Sequence, residues 1–439
     1  MSLHFGTDGV RGVALSELST EFVARLGRAC AEVLGTGRWL VGRDTRESGE
    51  VLATAVAAGL RAGGAEPVDV GVVPTPALAW LAARHDVAAA MVTASHNPWH
   101  DNGVKVFARG GLKLPDHQER LLESTLQHTS FGPSWLDTSH EEPKLMLPGE
   151  YVEGMVARAA RLDGLRVVLD CANGAMSAVA PEVVRRLGAN VVVINASPDG
   201  RNINANCGAT HTAPLQQAVI EHGAALGLAF DGDGDRVIAV DHEGRVVDGD
   251  RLIALAALRL RDVGALRGDA VVVTVMSNLG FHRAMAAAGI GVVTTAVGDR
   301  YVLEALDDRG LSIGGEQSGH IIYRDLATTG DGLLAGLELA ASVHARADGR
   351  TLAELAGSVM TAFPQVLVNV AVAERHPNIA EELAEDISVV EQALGGEGRV
   401  LLRASGTEPL VRVMVEAAEE DLARRAADDL AAIVRRRLG

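Results

Sequence analysis

The sequence has little lysine, few aromatic residues and few cysteines. Only three of its 439 residues are lysine, at positions 105, 113 and 144. Aromatic residues make up 3% of the chain, too few to supply the stacking surfaces that bind single-stranded nucleic acid. The cysteines, Cys30, Cys171 and Cys207, are odd in number and far apart. This spacing disfavours a disulfide framework or a thiolate zinc site and predicts a cytoplasmic protein.

Basic charge and long apolar runs are also scarce. Lysine and arginine number 40 against 57 acidic residues, so the net charge is −17, which repels nucleic acid and anionic membranes. We therefore expect neither as a partner, and any phosphate-binding site must be local. No apolar run reaches the roughly eighteen residues of a membrane span, and the first residues lack the pattern of a signal peptide.

The residues that are abundant predict a globular α/β protein with functional loops. Hydrophobic residues make up 48% of the chain, which also contains 49 glycines. Three stretches repeat a β-branched run, an alanine-rich helix, a glycine and a second β-branched run, the pattern of parallel βαβ units. The pattern of the last segment, residues 363–439, predicts an α+β module. We expect three related α/β domains with mixed sheets, at residues 1–148, 149–245 and 246–362, followed by a C-terminal α+β domain at 363–439.

A candidate nucleophile follows the apolar run at residues 87–92. Ser95, within the sequence TASHNP, is expected in a loop at the carboxyl end of a strand, where open α/β sheets bind ligands. An ordinary turn serine is the alternative, because Asn97-Pro98 also favours a turn. Lys105 lies where the next strand is expected to begin, and a surface lysine remains equally possible there.

An acidic loop, DGDGDR, follows the apolar run at residues 226–230. Asp231, Asp233 and Asp235 repel one another unless a cation lies among them, and their hard oxygen ligands favour Mg²⁺, Mn²⁺ or Ca²⁺. An EF-hand is excluded because Arg236 and His242 stand where that motif needs glycine and glutamate. An aspartyl-phosphate enzyme, with Asp231 or Asp233 as nucleophile, is a weaker alternative.

Three more glycine-rich loops carry polar side chains. The loop at 314–320 offers Glu316, Ser318 and His320, which could bind sugar hydroxyls, although a simple hairpin is equally plausible. The loop at 403–409 combines Arg403 with hydroxyls and glycine-flanked amides, as in a phosphate cradle or a plain turn. The loop at 5–12 makes Arg11 available for a phosphate.

Taken in order, these loops resemble those of the α-D-phosphohexomutase superfamily. The motifs are FGTDGVRG, TASHNP, DGDGDR, GEQSGH and RASGTEP, and the resemblance covers essentially the whole chain. Gln317, the segment VGDRYV at 297–302 and the segment TGDG at 329–332 are most similar to the bacterial phosphoglucosamine mutases. The resemblance implies four domains around a central cleft, the last of them mobile, and a possible homodimer. A hinge near Phe363-Pro364 would let the last domain close over a reaction intermediate and shield it from water.

The resemblance also implies a role for each motif residue. Ser95 would carry the phosphoryl group and, with Asp231, Asp233 and Asp235, would hold one Mg²⁺ per chain. Glu316 and Ser318 would bind the sugar, and the non-reacting phosphate would be bound by Arg403, Ser405, Gly406 and Thr407. Active-site charge stabilisation or acid-base chemistry would fall to Arg11, Lys105 and His320, while Arg236 completes the metal loop.

The leading hypothesis is a Mg²⁺-dependent mutase that interconverts glucosamine 6-phosphate and glucosamine 1-phosphate. The reaction would pass through phosphoserine and a hexosamine bisphosphate intermediate, and would feed UDP-N-acetylglucosamine and cell-wall synthesis. One alternative is a phosphoglucomutase or phosphomannomutase of the same superfamily. Another is a non-catalytic protein that binds a metal and sugar phosphates.

Overall fold

The structure is a computed structural model that describes residues 9–130, 132, 148–345, 348–374, 376, 378–404 and 410–438. Its elements form four groups, each built on one sheet, which we call domains 1 to 4. Of the helices described, none has the length and apolar character needed to cross a membrane.

Domain 1 contains a six-stranded mixed sheet. Its strands are β1 (Val10–Val13), β2 (Arg38–Arg43), β3 (Glu66–Val72), β4 (Ala88–Val92), β5 (Asp101–Ala108) and β6 (Leu112–Lys113). Its helices are α1 (Thr20–Leu34), α2 (Gly49–Ala62), α3 (Thr75–His85) and α4 (Asp116–His128). The strand order is β1-β5-β4-β2-β3, with β6 paired to β5. Strands β3, β2 and β4 are parallel, and β5 is antiparallel to β4.

Domain 2 repeats the central part of this sheet. Its helices are α5 (Pro148–Arg158), α6 (Met176–Arg186) and α7 (Ala213–Glu221). Its strands are β7 (Arg166–Asp170), β8 (Asn190–Ile194), β9 (Leu226–Phe230), β10 (Val237–Asp241) and β11 (Val246–Val247). The order is β11-β10-β9-β7-β8, with β8, β7 and β9 parallel and β10 antiparallel to β9.

Domain 3 has the same arrangement in four strands. These are β12 (Ala270–Thr274), β13 (Gly291–Thr295), β14 (Ile313–Gly315) and β15 (Ile321–Tyr323), in the order β13-β12-β14-β15. Its helices are α8 (Gly249–Asp262), α9 (Leu279–Ala287), α10 (Asp299–Arg309), α11 (Gly332–His344) and α12 (Leu352–Val359). Strand β15 is antiparallel to β14, so each of the first three sheets ends its parallel core in an antiparallel hairpin.

Domain 4 is an antiparallel sheet covered by helices. Its strands β16 (Gln365–Ala371), β17 (Gly398–Ala404) and β18 (Leu410–Ala417) run in the order β16-β18-β17. Its helices are α13 (Ile379–Glu382), α14 (Ala384–Ala393) and α15 (Glu420–Leu438). The sequence predicts one helix over 379–394. The structure has two, interrupted at Leu383, whose φ of −114° and ψ of 22° leave the helical region.

Domain 4 has a hydrophobic core separate from that of the other three domains. One cluster of buried side chains runs through domains 1, 2 and 3 and includes Leu78, Phe230 and Leu333. Domain 4 has a cluster of its own, centred on residues such as Val413 and Leu430. The expected fold class, three related α/β domains and a C-terminal α+β domain, is confirmed by this topology.

Candidate active site

The four predicted loops occupy equivalent places in the four sheets. The TASHNP loop joins β4 to β5, the acidic loop joins β9 to β10, and the GEQSGH loop joins β14 to β15. In domain 4, the RASGTEP segment joins β17 to β18. Each loop is therefore the connection of an antiparallel pair of strands, and in the first three domains it follows the last parallel strand of the core.

The backbone of the Ser95 loop is held in an unusual conformation. Ser95 has a φ of +52°, a conformation that a non-glycine residue adopts only when its surroundings stabilise it. Its main-chain N–H donates to Thr93 Oγ1 at 2.9 Å, and the Asn204 side-chain amide donates to its carbonyl oxygen at 2.9 Å. The serine is buried, and its position is set by the fold before any substrate binds.

Arg46, a buried residue of domain 1, also holds the Ser95 loop in place. Its guanidinium is fully buried and pairs with Asp44 at 2.9 Å. It also donates to four main-chain carbonyl oxygens, those of Ser95, Asn97, Pro98 and Asp101. A planar group with five donors suits this task, because one side chain satisfies several carbonyls that a turn leaves unpaired.

The three aspartates of the acidic loop form a compact, buried cluster. Single oxygen atoms of Asp231, Asp233 and Asp235 all lie within 4.8 Å of one another. Ser95 Oγ donates to Asp231 Oδ2 at 2.7 Å, so the candidate nucleophile lies against the cluster. Lys105 Nζ lies 2.9 Å from Asp233 Oδ2 and 2.8 Å from Asp235 Oδ2. The structure thus brings together residues that are 136 positions apart in the chain.

A glycine allows the serine loop and the acidic loop to meet. A Cβ atom on Gly232 would lie 2.6 Å from the carbonyl oxygen of Ser95 and 2.8 Å from the Asn204 side-chain amide. Any side chain there would push the loops apart. Thr75, at the start of α3, adds a direct link, because its Oγ1 donates to Asp233 Oδ2 at 2.6 Å and its N–H donates to the Asp233 carbonyl at 2.9 Å.

The electrostatics of the cluster differ between its carboxylates. Burial, followed by the negative charges of Asp235 and Asp233, raises the pKa of Asp231 well above its usual range. Burial also opposes ionisation of Asp235, but the charges of Lys105 and His320 hold the pKa of Asp235 well below its usual range. Asp233 Oδ1 and Asp235 Oδ1 are buried without a hydrogen-bond partner, and buried carboxylate oxygens of this kind are suited to a cation.

His320 connects the acidic loop to the sugar-recognition loop, by which we mean residues 316–320. Its Nδ1 lies 3.6 Å from Asp235 Oδ1, and its Nε2 lies 3.3 Å from Asp299 Oδ2. Its main chain forms an antiparallel bridge with Arg236. In the same loop, Ser318 Oγ donates to Glu316 Oε2 at 3.2 Å. The loop is therefore fixed against the acidic loop while Glu316 and Ser318 face each other.

His96 lies beside the serine, within reach of the charge of Arg11. Arg11, on β1, pairs in register with Gly103 of β5. Burial, followed by the positive charges of Arg236 and Arg11, lowers the pKa of His96 to about 4, so this imidazole is neutral near pH 7. Its Nδ1 lies 3.3 Å both from Ser95 Oγ and from Arg236 Nη1, where a neutral ring nitrogen can accept a hydrogen bond.

Arg403 lies in domain 4 opposite a second arginine. Arg403 and Arg412 face each other across β17 and β18, and burial together with the charge of Arg412 lowers the pKa of Arg403. Two like charges on neighbouring strands destabilise a sheet unless an anion lies between them, so the pair suits a phosphate. The other predicted members of this cradle, Ser405, Gly406 and Thr407, lie outside the described residues.

The sequence motifs predicted most residues of this cluster but missed several residues that hold its loops in place. Ser95, Lys105, the three aspartates, Arg236 and His320 are joined by the contacts above. His96 and Arg412 had a detectable signal, since one lies within TASHNP and the other interrupts an apolar strand. Three residues that hold these loops in place, Arg46, Thr75 and Asn204, belong to no recognisable motif. They contact the loops only because the fold brings them there.

Four family models together match nearly the whole chain. They are described as phosphoglucomutase/phosphomannomutase alpha/beta/alpha domains I, II and III, at residues 2–132, 149–244 and 248–363, and the C-terminal domain, at 367–433. The chain belongs to the phosphoglucomutase/phosphomannomutase family. The expected superfamily resemblance is thereby confirmed.

Several family members with curated names are about half identical to this chain. A phosphoglucosamine mutase of Rhodococcus opacus is 51% identical over 441 residues, covering 98% of each chain. One of Paenarthrobacter aurescens is 50% identical over 450 residues, covering 100% of this chain and 98% of its own. These likenesses confirm the expected enzyme class, an isomerase of the mutase type.

Solved structures show the same family fold. A phosphoglucomutase/phosphomannomutase family protein from Burkholderia thailandensis superposes with a TM-score of 0.80 at 26% identity, covering 98% of this chain and 97% of its own. The N-acetylphosphoglucosamine mutase of Aspergillus fumigatus, in complex with GlcNAc-6P and magnesium, has a TM-score of 0.71 at 21% identity, covering 99% and 95%. The second likeness concerns the fold alone.

Proposed function

We propose that this chain interconverts glucosamine 6-phosphate and glucosamine 1-phosphate through a phosphoserine at Ser95. The observation that carries the proposal is the hydrogen bond of 2.7 Å between Ser95 Oγ and Asp231, within a buried cluster of three aspartates. A hydroxyl held against a cation-binding cluster is suited to carrying a phosphoryl group. The choice of glucosamine phosphates rests on full-length relatives at about 50% identity that are named phosphoglucosamine mutases.

The acidic cluster fits one Mg²⁺. Its carboxylates supply hard oxygen ligands, and two of their buried oxygens have no other hydrogen-bond partner among the described residues. Asp231, Asp233 and Asp235 would hold the ion together with an oxygen of phosphorylated Ser95. When bound, Mg²⁺ supplies positive charge that stabilises the negative phosphoryl oxygens during transfer.

The residues around Ser95 perform the transfer itself. A sugar hydroxyl forms a new O–P bond as the bond from Ser95 Oγ to phosphorus breaks; the hydroxyl proton leaves to a base, and Ser95 Oγ takes up a proton in its place. Burial opposes the charge of His320, but the carboxylates of Asp299 and Asp235 raise the pKa of His320, so its imidazolium adds positive charge at this site. Arg11, Lys105 and Arg236 add positive charge near the reacting group. The resulting bisphosphate then turns around, and the reverse transfer returns a phosphoryl group to Ser95 from the other end of the sugar.

Substrate binding needs residues that contact both the sugar hydroxyls and the phosphate that is not reacting. Glu316 and Ser318 offer a carboxylate and a hydroxyl to the sugar hydroxyls. Arg403, with Ser405, Gly406 and Thr407, binds the phosphate that is not reacting, and Arg412 adds its charge beside Arg403. The proposal places the reaction in the cytoplasm, a reducing compartment that suits the three free, buried cysteines. The expected homodimer stays a prediction.

Ser95→Ala tests the covalent scheme. We expect kcat on glucosamine 6-phosphate, measured with a hexose bisphosphate activator, to fall more than about 10³-fold while the folded state persists. Intact-mass spectrometry should detect the phosphorylated form in the wild type and none in the variant. Ser342→Ala, which removes a hydroxyl bonded to its own helix at Leu339, is the matched control and should keep full activity.

The same assays separate the alternatives. A fully active Ser95→Ala variant contradicts the phosphoserine scheme. A clear preference for glucose or mannose phosphates over glucosamine phosphates would assign the chain to the phosphoglucomutase/phosphomannomutase activity. Absence of both turnover and phosphoenzyme in the wild type, after incubation with the bisphosphate, would favour a non-catalytic binding protein.

A further inference from the structure

The motif VGDRYV at residues 297–302 is not used by the catalytic scheme above. Its Asp299 and Arg300 open helix α10 of domain 3, yet both side chains reach domain 1. Both are largely buried, with 8% and 7% of their surface exposed. Buried charges are costly unless they are paired, so their partners indicate what these residues do.

The partners form a reciprocal set of ion pairs between two domains. Asp299 of domain 3 pairs with Lys113 of β6 in domain 1. Arg300 of domain 3 pairs with Glu119 and, at 2.9 Å, with Asp116, both in the first turns of α4 in domain 1. Each domain thus contributes at least one cation and one anion. We call these five residues the interdomain clasp.

The clasp lies directly behind the sugar-recognition loop. The main-chain N–H of Gly298, just before α10, donates to Glu316 Oε1 at 3.1 Å. Asp299 Oδ2 lies 3.3 Å from His320 Nε2. The first turn of α10 therefore contacts two candidate site residues on one side and domain 1 on the other.

Four of the five clasp side chains are largely buried, which makes the clasp stronger than an ordinary surface pair; the fifth, Asp116, is 53% exposed. The side chains of Arg300 and Glu119 are 9% and 16% exposed, whereas the pair of Arg186 and Glu153 within domain 2 is 37% and 68% exposed. Exposed pairs contribute little to stability, but removing one partner of a buried pair leaves an uncompensated charge. The clasp therefore resists displacement of α10 relative to domain 1.

We propose that the interdomain clasp positions the sugar-recognition loop for substrate. By fixing the first turn of α10 against domain 1, which carries Ser95, it holds Glu316 and His320 at a set distance from the phosphoryl group. Arg300 and Glu119 are positioning residues, because they act through Gly298 and Asp299. The inference rests on the proposed function for its substrate, but the contacts that define the clasp do not depend on that substrate.

Charge reversal and its rescue test the clasp. Arg300→Glu places a third acid beside Asp116 and Glu119, so we expect KM for glucosamine 6-phosphate to rise about tenfold, while kcat falls less than about threefold. The split arises because Glu316 binds the sugar in the ground state and the transition state alike. His320 remains held by its main-chain bridge to Arg236 and by Asp235, so kcat changes less. Arg300→Glu/Glu119→Arg restores an attractive pair and should return KM to within about threefold of the wild type.

Amide hydrogen exchange tests the effect of the clasp on the sugar-recognition loop in the absence of substrate. Exchange in the peptide spanning 313–323 should become faster in Arg300→Glu and return toward the wild-type rate in the double variant. Glu153→Arg/Arg186→Glu, a reversal of an exposed pair in domain 2, is the matched control and should change neither KM nor this exchange. Glu119→Gln, which keeps shape and removes one charge, should move both measurements in the same direction by less, and it serves if Arg300→Glu does not fold.

The outcomes distinguish the clasp from the proposed function. If the wild type turns over no glucosamine phosphate but exchange at 313–323 follows the single and double variants, the substrate assignment fails and the clasp stands. If exchange and KM are unchanged in Glu119→Gln and in Arg300→Glu, or if the double variant recovers neither, the clasp is overturned.

Discussion

Asp250 is a buried carboxylate at the start of α8 that the catalytic scheme does not use. Its Oδ2 accepts a hydrogen bond from the main-chain N–H of Asn278 at 2.8 Å, while its Oδ1 is buried without a partner. Burial raises the pKa of Asp250 to about 7. A carboxyl whose pKa is higher in the folded state than its unfolded value of about 3.9 binds its proton more tightly when folded. Its contribution to stability is therefore largest below about pH 4 and is lost as pH rises through 7.

Asp250→Asn should remove this pH dependence. The amide keeps the acceptor for Asn278 and carries no charge at any pH, so the variant gains stability relative to the wild type as pH rises. Between about pH 5 and pH 8, we expect the difference in unfolding free energy to shift in favour of the variant by on the order of 2 kcal/mol. Urea unfolding at the two pH values measures it, with Asp262→Asn, at the exposed end of the same helix, as the control for charge removal. A difference that does not change with pH contradicts the prediction.

Residue types in motifs were predictable from the sequence, whereas their supports were not. Ser95 and the three aspartates stand in glycine-rich loops after apolar runs, where chemistry dictates the residue type. Arg46 and Asn204 instead hold the serine loop through its carbonyl oxygens, and such contacts depend on a backbone that only the fold creates. Arg46 donates to Ser95 across 49 residues and Asn204 across 109, and no local pattern encodes these separations.

At the scale of elements, Gly232 lies where the serine and acidic loops approach each other closely. Gly232→Ala would place a methyl group 2.6 Å from the carbonyl oxygen of Ser95, so one of the two loops must move. We expect kcat to fall about 10²-fold or more, because misplacement of a reacting group by about 1 Å has this effect. Steady-state assays and the yield of phosphoenzyme in intact-mass spectra measure the loss.

Gly357→Ala is the matched control for that substitution. Gly357 lies in α12, and nothing lies within 4 Å of its ideal Cβ position. Alanine in a helix interior is favoured over glycine by up to about 1 kcal/mol, so this variant should be fully active and slightly more stable. If Gly232→Ala keeps wild-type kcat, the close approach of the two loops is not required for transfer.

Local periodicity predicted most elements but not their packing. Apolar runs correctly predicted the buried parallel strands, and the βαβ repeats predicted three related domains. In the closing helix, the four-residue spacing of Leu422, Ala426, Leu430, Val434 and Leu438 predicts the buried stripe. Leu430 and Val434 are buried, but the rest of the buried face is formed by Ala423, Ala427 and Ala431, since a helix repeats every 3.6 residues and its buried face drifts from a strict four-residue row.

At the scale of the whole molecule, a buried polar junction around Asn278 joins domain 4 to domain 3. The Asn278 side chain accepts from the N–H of Phe363 at 2.9 Å and donates to the Phe363 carbonyl at 2.9 Å and to Glu416 Oε1 at 3.2 Å. Glu416 of β18 is fully buried and also pairs with Arg399 at 2.9 Å. The segment at Phe363-Pro364, where a hinge is predicted, is thus held by Asn278 and by Arg283, whose guanidinium lies 4.6 Å from the centre of the Phe363 ring.

This junction sets how domain 4 presents its arginines to the cleft. Because domain 4 has its own hydrophobic core, the few polar contacts at Asn278 carry much of its orientation relative to domains 1 to 3. Polar contacts of this kind can break and re-form at a cost of about 1 kcal/mol each, which suits a domain that closes on substrate. A change at Asn278 should therefore alter domain position without altering the cluster around Ser95.

Asn278→Asp tests this coupling with almost no change in shape. The new carboxylate keeps the acceptor for Phe363 N–H but faces Glu416 and the Phe363 carbonyl with like charge, so domain 4 should be displaced. We expect small-angle scattering to show a larger radius of gyration without substrate. KM for glucosamine 6-phosphate should rise more than kcat falls, because Arg403 and Arg412 bind the phosphate that does not react. Asn278→Asp/Glu416→Gln removes one of the two repulsions and should recover part of both effects, whereas scattering and KM unchanged from the wild type would mean that this junction does not orient domain 4.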